Sequence, residues 1–566
     1  MIERRDVIKF GAGCAIGTAF TPIPWKLLDD TAIWSQNWSW IPKTPRGEVS
    51  VRYSTCTLCP GGCGVRAKCV AGHAVGIEGV GDHPQSRGAM CPVAFGGHCA
   101  PYHPRRIQQR IAVPETVAAA VARGPFAILD LGPRRAVSSL YAEAAKAKGG
   151  TYLRVPDRDE AFLDVLAERY GRELGSFGVD LEHARTLISF GAPVLESWGT
   201  PGRVLERWRS GELQVIQVDG RQSRTALAAH RWVRLVKSVE DLGSFGKPAV
   251  VVGHDDPERI ADLNVELGSI GSEGGIVPRR KLPFDEPAAR DLASIGDGSL
   301  AALFIDASRA YDVIPWPVIR RKLAPNAVVV AFAYKQDALT AHANVVLPVS
   351  APFETIDDVC TPPCSAAASY ATAPALIDAP VVIETPVDHL NGLLGLSLPS
   401  VDEVVKSRVA AVEAAGRGKL AKFGDSVVWT DDLSRASFSS GGALAPQRGR
   451  AEARSELKLA LQIQSSRASD VTPLETKLDQ ESALYTPASF VRINPATARD
   501  LNLSNAAKAI IQTNHGSATR QILLDPAVPP GVIEASATPA ADDLINICTD
   551  GAPGDWRSIS AAVRRA

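Results

Sequence analysis

Four cysteines carry the strongest chemical signal in this sequence. Cys56, Cys59 and Cys63 lie in CTLCPGGC, and Cys91 follows after 27 intervening residues, a C-x2-C-x3-C-x27-C spacing. Two thiolates two residues apart point into one concave loop, and Pro60, Gly61 and Gly62 let the chain turn tightly before the third. A fourth thiolate from a distant loop closes the site. Such a quartet suits a [4Fe–4S] cluster or Zn²⁺, because both take soft sulfur ligands. Zinc knuckles carry two CxxC pairs, and only one occurs here. Cysteines at x2 spacing are badly placed to form a disulfide with each other. No CxxCH occurs, so covalent c-type haem has no local motif. The expectation is one [4Fe–4S] cluster on Cys56, Cys59, Cys63 and Cys91, with a zinc staple as the alternative. Cys69 and Cys99 are additional, Cys14 sits in the first segment, and Cys548 has no obvious partner. Cys360 and Cys364, in CTPPC, are either a loop disulfide or two free thiols.

These ligands need a scaffold, and the chain reads as layered α/β. The runs FAILDLG (126–132), TYLRVP (151–156), TLISFG (186–191), LQVIQVD (213–219), AVVVG (249–253), ALFIDA (302–307) and AVVVAF (327–332) are short and apolar or β-branched. Helix-like stretches such as RAVSSLYAEAAKAKG (135–149) separate them, the pattern of parallel sheets covered on both faces. None carries GxGxxG; Gly271, Gly274 and Gly275 read as a turn before they read as a phosphate cradle. KLALQIQ (458–464), FVRIN (490–494), AIIQTN (509–514) and QILLD (521–525) fit a small β domain. The expected organisation is a signal or anchor (1–25), a Trp-rich strap with Trp34, Trp38 and Trp40 (26–50), an iron–sulfur domain (51–110), Rossmann-like α/β domains (111–400), a linker (401–455) and a C-terminal β-barrel domain (456–566).

Composition narrows the class. With 61 Lys and Arg against 62 Asp and Glu, the formal charge is −1, so no basic face recommends nucleic acid as a partner. Ten cysteines in 566 residues are too sparse for a disulfide scaffold. At the N-terminus, Arg4 and Arg5 precede an apolar stretch from Phe10 to Phe20. That is the form of a twin-arginine export signal, the route for proteins folded before crossing. It predicts a location on the periplasmic side of the inner membrane. Eleven weakly apolar residues fall short of the ~20 that span a bilayer.

The twin-arginine start, the cysteine spacing and CPVAFGGHCAPYHPRRI (91–107) resemble the molybdopterin oxidoreductases, or DMSO reductase family. ARTLISFGAPVLESWGTP (184–201), LQVIQVDGRQSRTALAAHRWV (213–233, with Asp219 ending a strand), NAVVVAFAYKQDALTAHANVVLPVSAPFE (326–354) and FVRINPATARDLNLSNAAKAIIQTNHGSATRQILLDPAVPPGVI (490–533) are similar to later parts of that fold. Within the family, PWKLLDDTAIWSQNWSWIP (24–42) is similar to the molybdopterin-binding-like subunits of menaquinone reductase complexes, which are related to alternative complex III. The resemblance implies a DMSO reductase-like architecture. It also implies three partners: a multihaem cytochrome c subunit, a ferredoxin-like iron–sulfur subunit and a quinone-binding membrane subunit.

The departures from the family matter too. Val93 stands two residues after the fourth cysteine, where a Lys or Arg is common, and an apolar side chain cannot donate to a pterin nitrogen. The stretch expected to hold the molybdenum ligand, TYLRVPDRDEAFLDVLAERYGRELG (151–175), has no Cys, Ser or His. Its Asp157 and Asp159 read as helix-start acids rather than ligands. The shell after His230 is also short for a bis-dinucleotide cofactor. The expectation is therefore an electron-relay or scaffold subunit of a membrane-attached quinone oxidoreductase complex, with no catalytic residues of its own and no molybdopterin. The alternative is an active molybdenum or tungsten enzyme acting on a small oxyanion or sulfur compound.

Overall fold

A computed structural model of the chain describes residues 4–21, then 47–433 apart from 104, 110–115, 156, 221, 235–237, 255, 310, 312–313, 338 and 380–383, and finally 460–464, 490–536, 544, 546–549 and 558–566. The strap tryptophans Trp34, Trp38 and Trp40 lie outside the described residues.

The apolar runs become strands of two parallel sheets. The larger has six strands in the order Arg290–Asp291, Thr151–Arg154, Phe126–Asp130, Leu300–Asp306, Leu323–Ala333, Val345–Pro348, all parallel. Every residue of FAILD (126–130) is buried, as a strand covered on both faces requires. On one face the helix Ala136–Ala147 buries Val137, Leu140, Tyr141 and Ala144, a stripe of helical period, against Phe126, Phe304 and Phe332. Register sets Asp306 beside Asp130, so two carboxylates stand together at the strands' carboxyl ends.

The second sheet runs Ala249–Gly253, Thr186–Phe190, Gln214–Val218, Arg231–Val233, again all parallel. The helices Pro201–Arg209 and Pro257–Leu267 each begin at a proline in the first turn, where its missing N–H costs nothing. The glycine-rich stretch between the second of these helices and the strand Ile276–Pro278 is a closed turn. Gly271 N–H donates to Ile276 O, and Gly274 N–H to Asp180 Oδ2. A Cβ at Gly275 would stand 1.9 Å from Ser269 O, so this glycine serves close approach of backbone to backbone.

The cysteine region is a three-stranded antiparallel sheet, Val49–Thr55, Gly64–Val70 and His73–Gly79. The C-terminal part contributes a seven-stranded mixed sheet. The range read as a linker, 401–455, is corrected in its described part. It holds the helix Val401–Glu413, started by a capping box of Ser400 and Glu403, and the hairpin Lys419–Phe423 with Ser426–Thr430. The hairpin joins Asp357–Cys360 and Ser369–Ala373 in one sheet. Buried Arg408 of the helix ion-pairs Asp358 at 2.8 Å. The glycine and serine that follow in the sequence drew the reading to a linker, while the capping box was readable. The N-terminal helix Arg4–Phe20 is exposed along its whole length. No helix among the described residues is long and apolar enough to cross a membrane.

Candidate metal centre

The loop between the first two strands of the cysteine sheet carries Cys56, Cys59 and Cys63. A backbone bond from Cys56 N–H to Cys63 O at 2.8 Å closes it. Gly62 takes the left-handed conformation (φ 61°) that the turn needs. Cys91 arrives from the other side as the residue before the short helix Pro92–Gly96. Cys56, Cys63 and Cys91 are buried in one core with Leu58, Val65, Met90, Ala94 and Phe353; Cys59 is partly exposed. The structure thus brings together the four cysteines that spacing singled out. Cys69 is buried in the same core, its thiol turned to the carbonyl oxygens of Ala67 and Leu376, and all ten cysteines are free thiols.

Burial and mutual charge raise the thiols of the quartet. Burial pushes the Cys56 thiol far up, and the charges of Cys59, Cys91 and Cys63 push it further. Burial, then Cys59 and Cys91, do the same to Cys63; burial raises Cys91. Four mutually repelling thiolates, three of them buried, become favourable only around a cation. Backbone N–H groups are already aimed at the sulfurs. Gly61 N–H lies 3.4 Å from Cys59 Sγ. Leu58 serves Cys56, Gly202 serves Cys63, and Val93 with Ala94 serve Cys91. A zinc ion would draw its sulfurs to about 4 Å from one another. No group of three or more His, Cys, Asp or Glu among the described residues is placed to hold a single ion. Four thiols with an N–H shell have the donor chemistry of an iron–sulfur site.

A second cluster of chemistry lies at the carboxyl end of the six-stranded sheet, where open α/β sheets commonly hold ligands. Here charged side chains of the chain itself occupy it. Arg135 Nη2 lies 2.7 Å from Asp306, while Nη1 lies 3.3 Å from Asp357. Tyr141 and Tyr152 donate to Asp306 and Asp130, each at 2.9 Å. Burial pushes Asp130 up, whereas burial of Asp306 is outweighed by Arg135, which holds it below the usual carboxylate range. Beside them Glu160 accepts from Arg134, from Arg279 at 2.9 Å and from Cys364 N–H at 3.0 Å. Burial would raise Glu160, but Arg134 and Arg279 hold it well below its ordinary value. Arg134 and Cys364 both sit at positive φ, 70° and 60°, a conformation rare for side-chain-bearing residues. A small space between Pro60, Arg135, Tyr311 and Cys360 admits about one water.

The expected role of Asp159 as a helix-start acid is corrected. Its Oδ2 accepts Gly199 N–H at 2.6 Å and its Oδ1 meets His254 Nε2 at 2.6 Å. Asp157 keeps a local role, accepting Asp159 N–H at 2.9 Å. Sequence reasoning missed Glu160, Gly202 and the approach of Cys364, whose Sγ donates to Asp159 O at 3.0 Å. Burial, with the charges of Glu160, Asp159 and Asp157, drives the Cys364 thiol up and keeps it protonated. The only sequence sign of Gly202 was TPG at a helix start. Val93 packs against the quartet's core.

Comparison with known proteins agrees with this geometry. Residues 49–93 match the family described as the Molybdopterin oxidoreductase Fe4S4 domain, and a domain of that kind supports a 4Fe–4S cluster. The chain is 25% identical to the "Menaquinone reductase, molybdopterin-binding-like subunit" of Nitratidesulfovibrio vulgaris (strain Hildenborough), over 92% of this chain and 91% of that one. Its fold is that of acetylene hydratase from Pelobacter acetylenicus, with a TM-score of 0.67 at 12% identity, covering 91% of this chain and all of the other. The resemblance to molybdopterin oxidoreductases and the DMSO reductase-like fold class are thereby shown.

Proposed function

We infer that this chain is a subunit of a menaquinone reductase-like complex, serving as electron relay or scaffold and holding one [4Fe–4S] cluster on Cys56, Cys59, Cys63 and Cys91. The observation that carries the inference is the likeness to a menaquinone reductase subunit along nearly the full length of both chains. Its partners are then a multihaem cytochrome c subunit, a ferredoxin-like iron–sulfur subunit and a quinone-binding membrane subunit. The assembly sits on the periplasmic side of the inner membrane after twin-arginine export. An exposed N-terminal helix bearing Arg4 and Arg5 is consistent with that route.

Bound there, the cluster supplies one-electron transfer. The chain's own part is to supply four sulfurs, to surround them with N–H donors and to exclude water by the core around Leu58, Met90 and Phe353. Molybdopterin is not part of the proposal. What speaks against it are the ion pairs of Arg135 with Asp306 and of Glu160 with Arg134 and Arg279, all buried or nearly so, at the carboxyl end of the six-stranded sheet. A dinucleotide entering would strip each charge of its partner. Of the thiols nearby, Cys364 has carboxylates about it, the wrong field for a thiolate ligand. Metal analysis of the purified protein tests the whole reading. About four iron atoms per chain without molybdenum or tungsten are expected. Stoichiometric molybdenum or tungsten would refute the exclusion of molybdopterin, and zinc in place of iron would refute the relay.

A further inference from the structure

The helix Pro201–Arg209 comes from the second parallel sheet, yet its first turn presses on the cysteine loop. The backbone of Gly202 lies against Cys63, and its N–H favours the thiolate there. A Cβ built on Gly202 would stand 2.7 Å from that sulfur and 2.7 Å from Ala89 O. A Cβ on Gly61 would stand 2.7 Å from Pro201 Cδ and 3.3 Å from Gly199 O. Glycine is required on both sides of the contact, because any side chain would hold the two segments apart. The N-cap residue, Thr200, makes no side-chain bond to the first N–H groups. Arg203, in the same turn, is neutralised by Glu182 and Glu206. The positive potential this turn offers Cys63 therefore comes from the backbone. The turn is itself anchored. Gly199 N–H donates to Asp159, which His254 holds from the other side.

We propose that the turn 199–202 sets the reduction potential of the cluster, Gly202 N–H acting on Cys63 and Asp159 acting as the positioning residue that holds the turn in place. The inference rests on the cluster reading above. Hydrogen bonds to cluster sulfurs are among the factors that fix such potentials. They favour the reduced cluster, which carries one more negative charge, so weakening one lowers the potential. Position and charge make opposite predictions for Asp159. If Asp159 holds the turn, its loss lowers the potential. If it acts only as a nearby negative charge, its loss raises the potential.

The test is redox titration followed by EPR on the full chain purified with its cluster, with iron content and circular dichroism measured alongside. Gly202→Ala is expected to shift the midpoint to more negative values, or to lose iron while folded. Asp159→Ala is expected to shift it in the same direction. Asp159→Asn, whose amide oxygen still accepts from Gly199, is expected to stay near the parent value. Should Gly202→Ala not fold, the two Asp159 variants decide. A positive shift in both Asp159 variants, or an unmoved midpoint in Asp159→Ala at full iron content, overturns the proposal. Parent protein lacking iron would instead overturn the cluster reading, an outcome visible before any variant is made.

Discussion

At the scale of single residues, the quartet has chemistry that serine cannot reproduce. A hydroxyl is a hard, weakly acidic ligand where iron–sulfur clusters take thiolates. Cys59→Ser is therefore expected to lower iron content and to loosen residues 51–110, read by iron assay, EPR and protease sensitivity. Full iron with an unaltered EPR signal would show Cys59 to be no ligand. Asp164 offers a pH test. Burial, helped by the charge of Glu160, pushes its carboxyl up to about 6. An acid raised in the folded state costs stability once the pH exceeds its unfolded value of about 3.9, increasingly up to its folded value. Asp164→Asn is thus expected to melt higher than the parent at pH 7 and at nearly the same temperature at pH 3.5. A constant difference at both pH values would contradict the assignment. Asn retains an oxygen for Gly175 N–H, which Asp164 accepts at 3.3 Å.

Between elements, Glu160 acts as a clamp. It stands before the helix Ala161–Arg169 and receives Arg134 from the loop after strand Phe126–Asp130 and Arg279 from beyond strand Ile276–Pro278. Removing one partner of a buried pair leaves uncompensated charge, at a cost of about 3–5 kcal/mol. Glu160→Gln is expected to lose that much at pH 7, measured as a lowered denaturation midpoint. Its carboxyl is depressed, so the stabilisation is present above its unfolded value of about 4.3 and fades as the pH falls below it. The gap between variant and parent should narrow under acid; a gap that widens would reverse the sign of the argument. The helix Val401–Glu413 shows the same principle. A capping box starts it, and Arg408 ties it to Asp358 and, at 2.7 Å, to Ser139. A stretch that looks like a connector in composition is held by a charge pair across the fold.

For the whole molecule, the proposed function predicts that native purification yields a multi-subunit assembly with c-type haem and quinone reductase activity. A stable monomer that is active alone would count against the partner inference. The chain's fold does not select between relay and enzyme, since one architecture hosts both. Side chains at the carboxyl end of the sheet and the proteins it binds make that choice.

Much of this was legible from the sequence. The strands at 126–130, 151–154, 186–190, 214–218 and 249–253 fall inside the apolar runs and 300–306 overlaps one, because a strand covered on both faces is mostly apolar. The cysteine quartet was legible because its first three members share one short loop. What escaped were partners far apart in sequence: Asp159 with Gly199 and His254, Glu160 with Arg279 and Cys364, and Gly202 with Cys63. An aspartate or glycine carries no mark of which distant atom it will face. Local spacing and periodicity determine elements and ligand loops, because those forces act along neighbouring residues. Only the folded chain decides which charges meet at the end of the sheet and which helix end reaches the sulfurs, because packing of separate layers sets those distances.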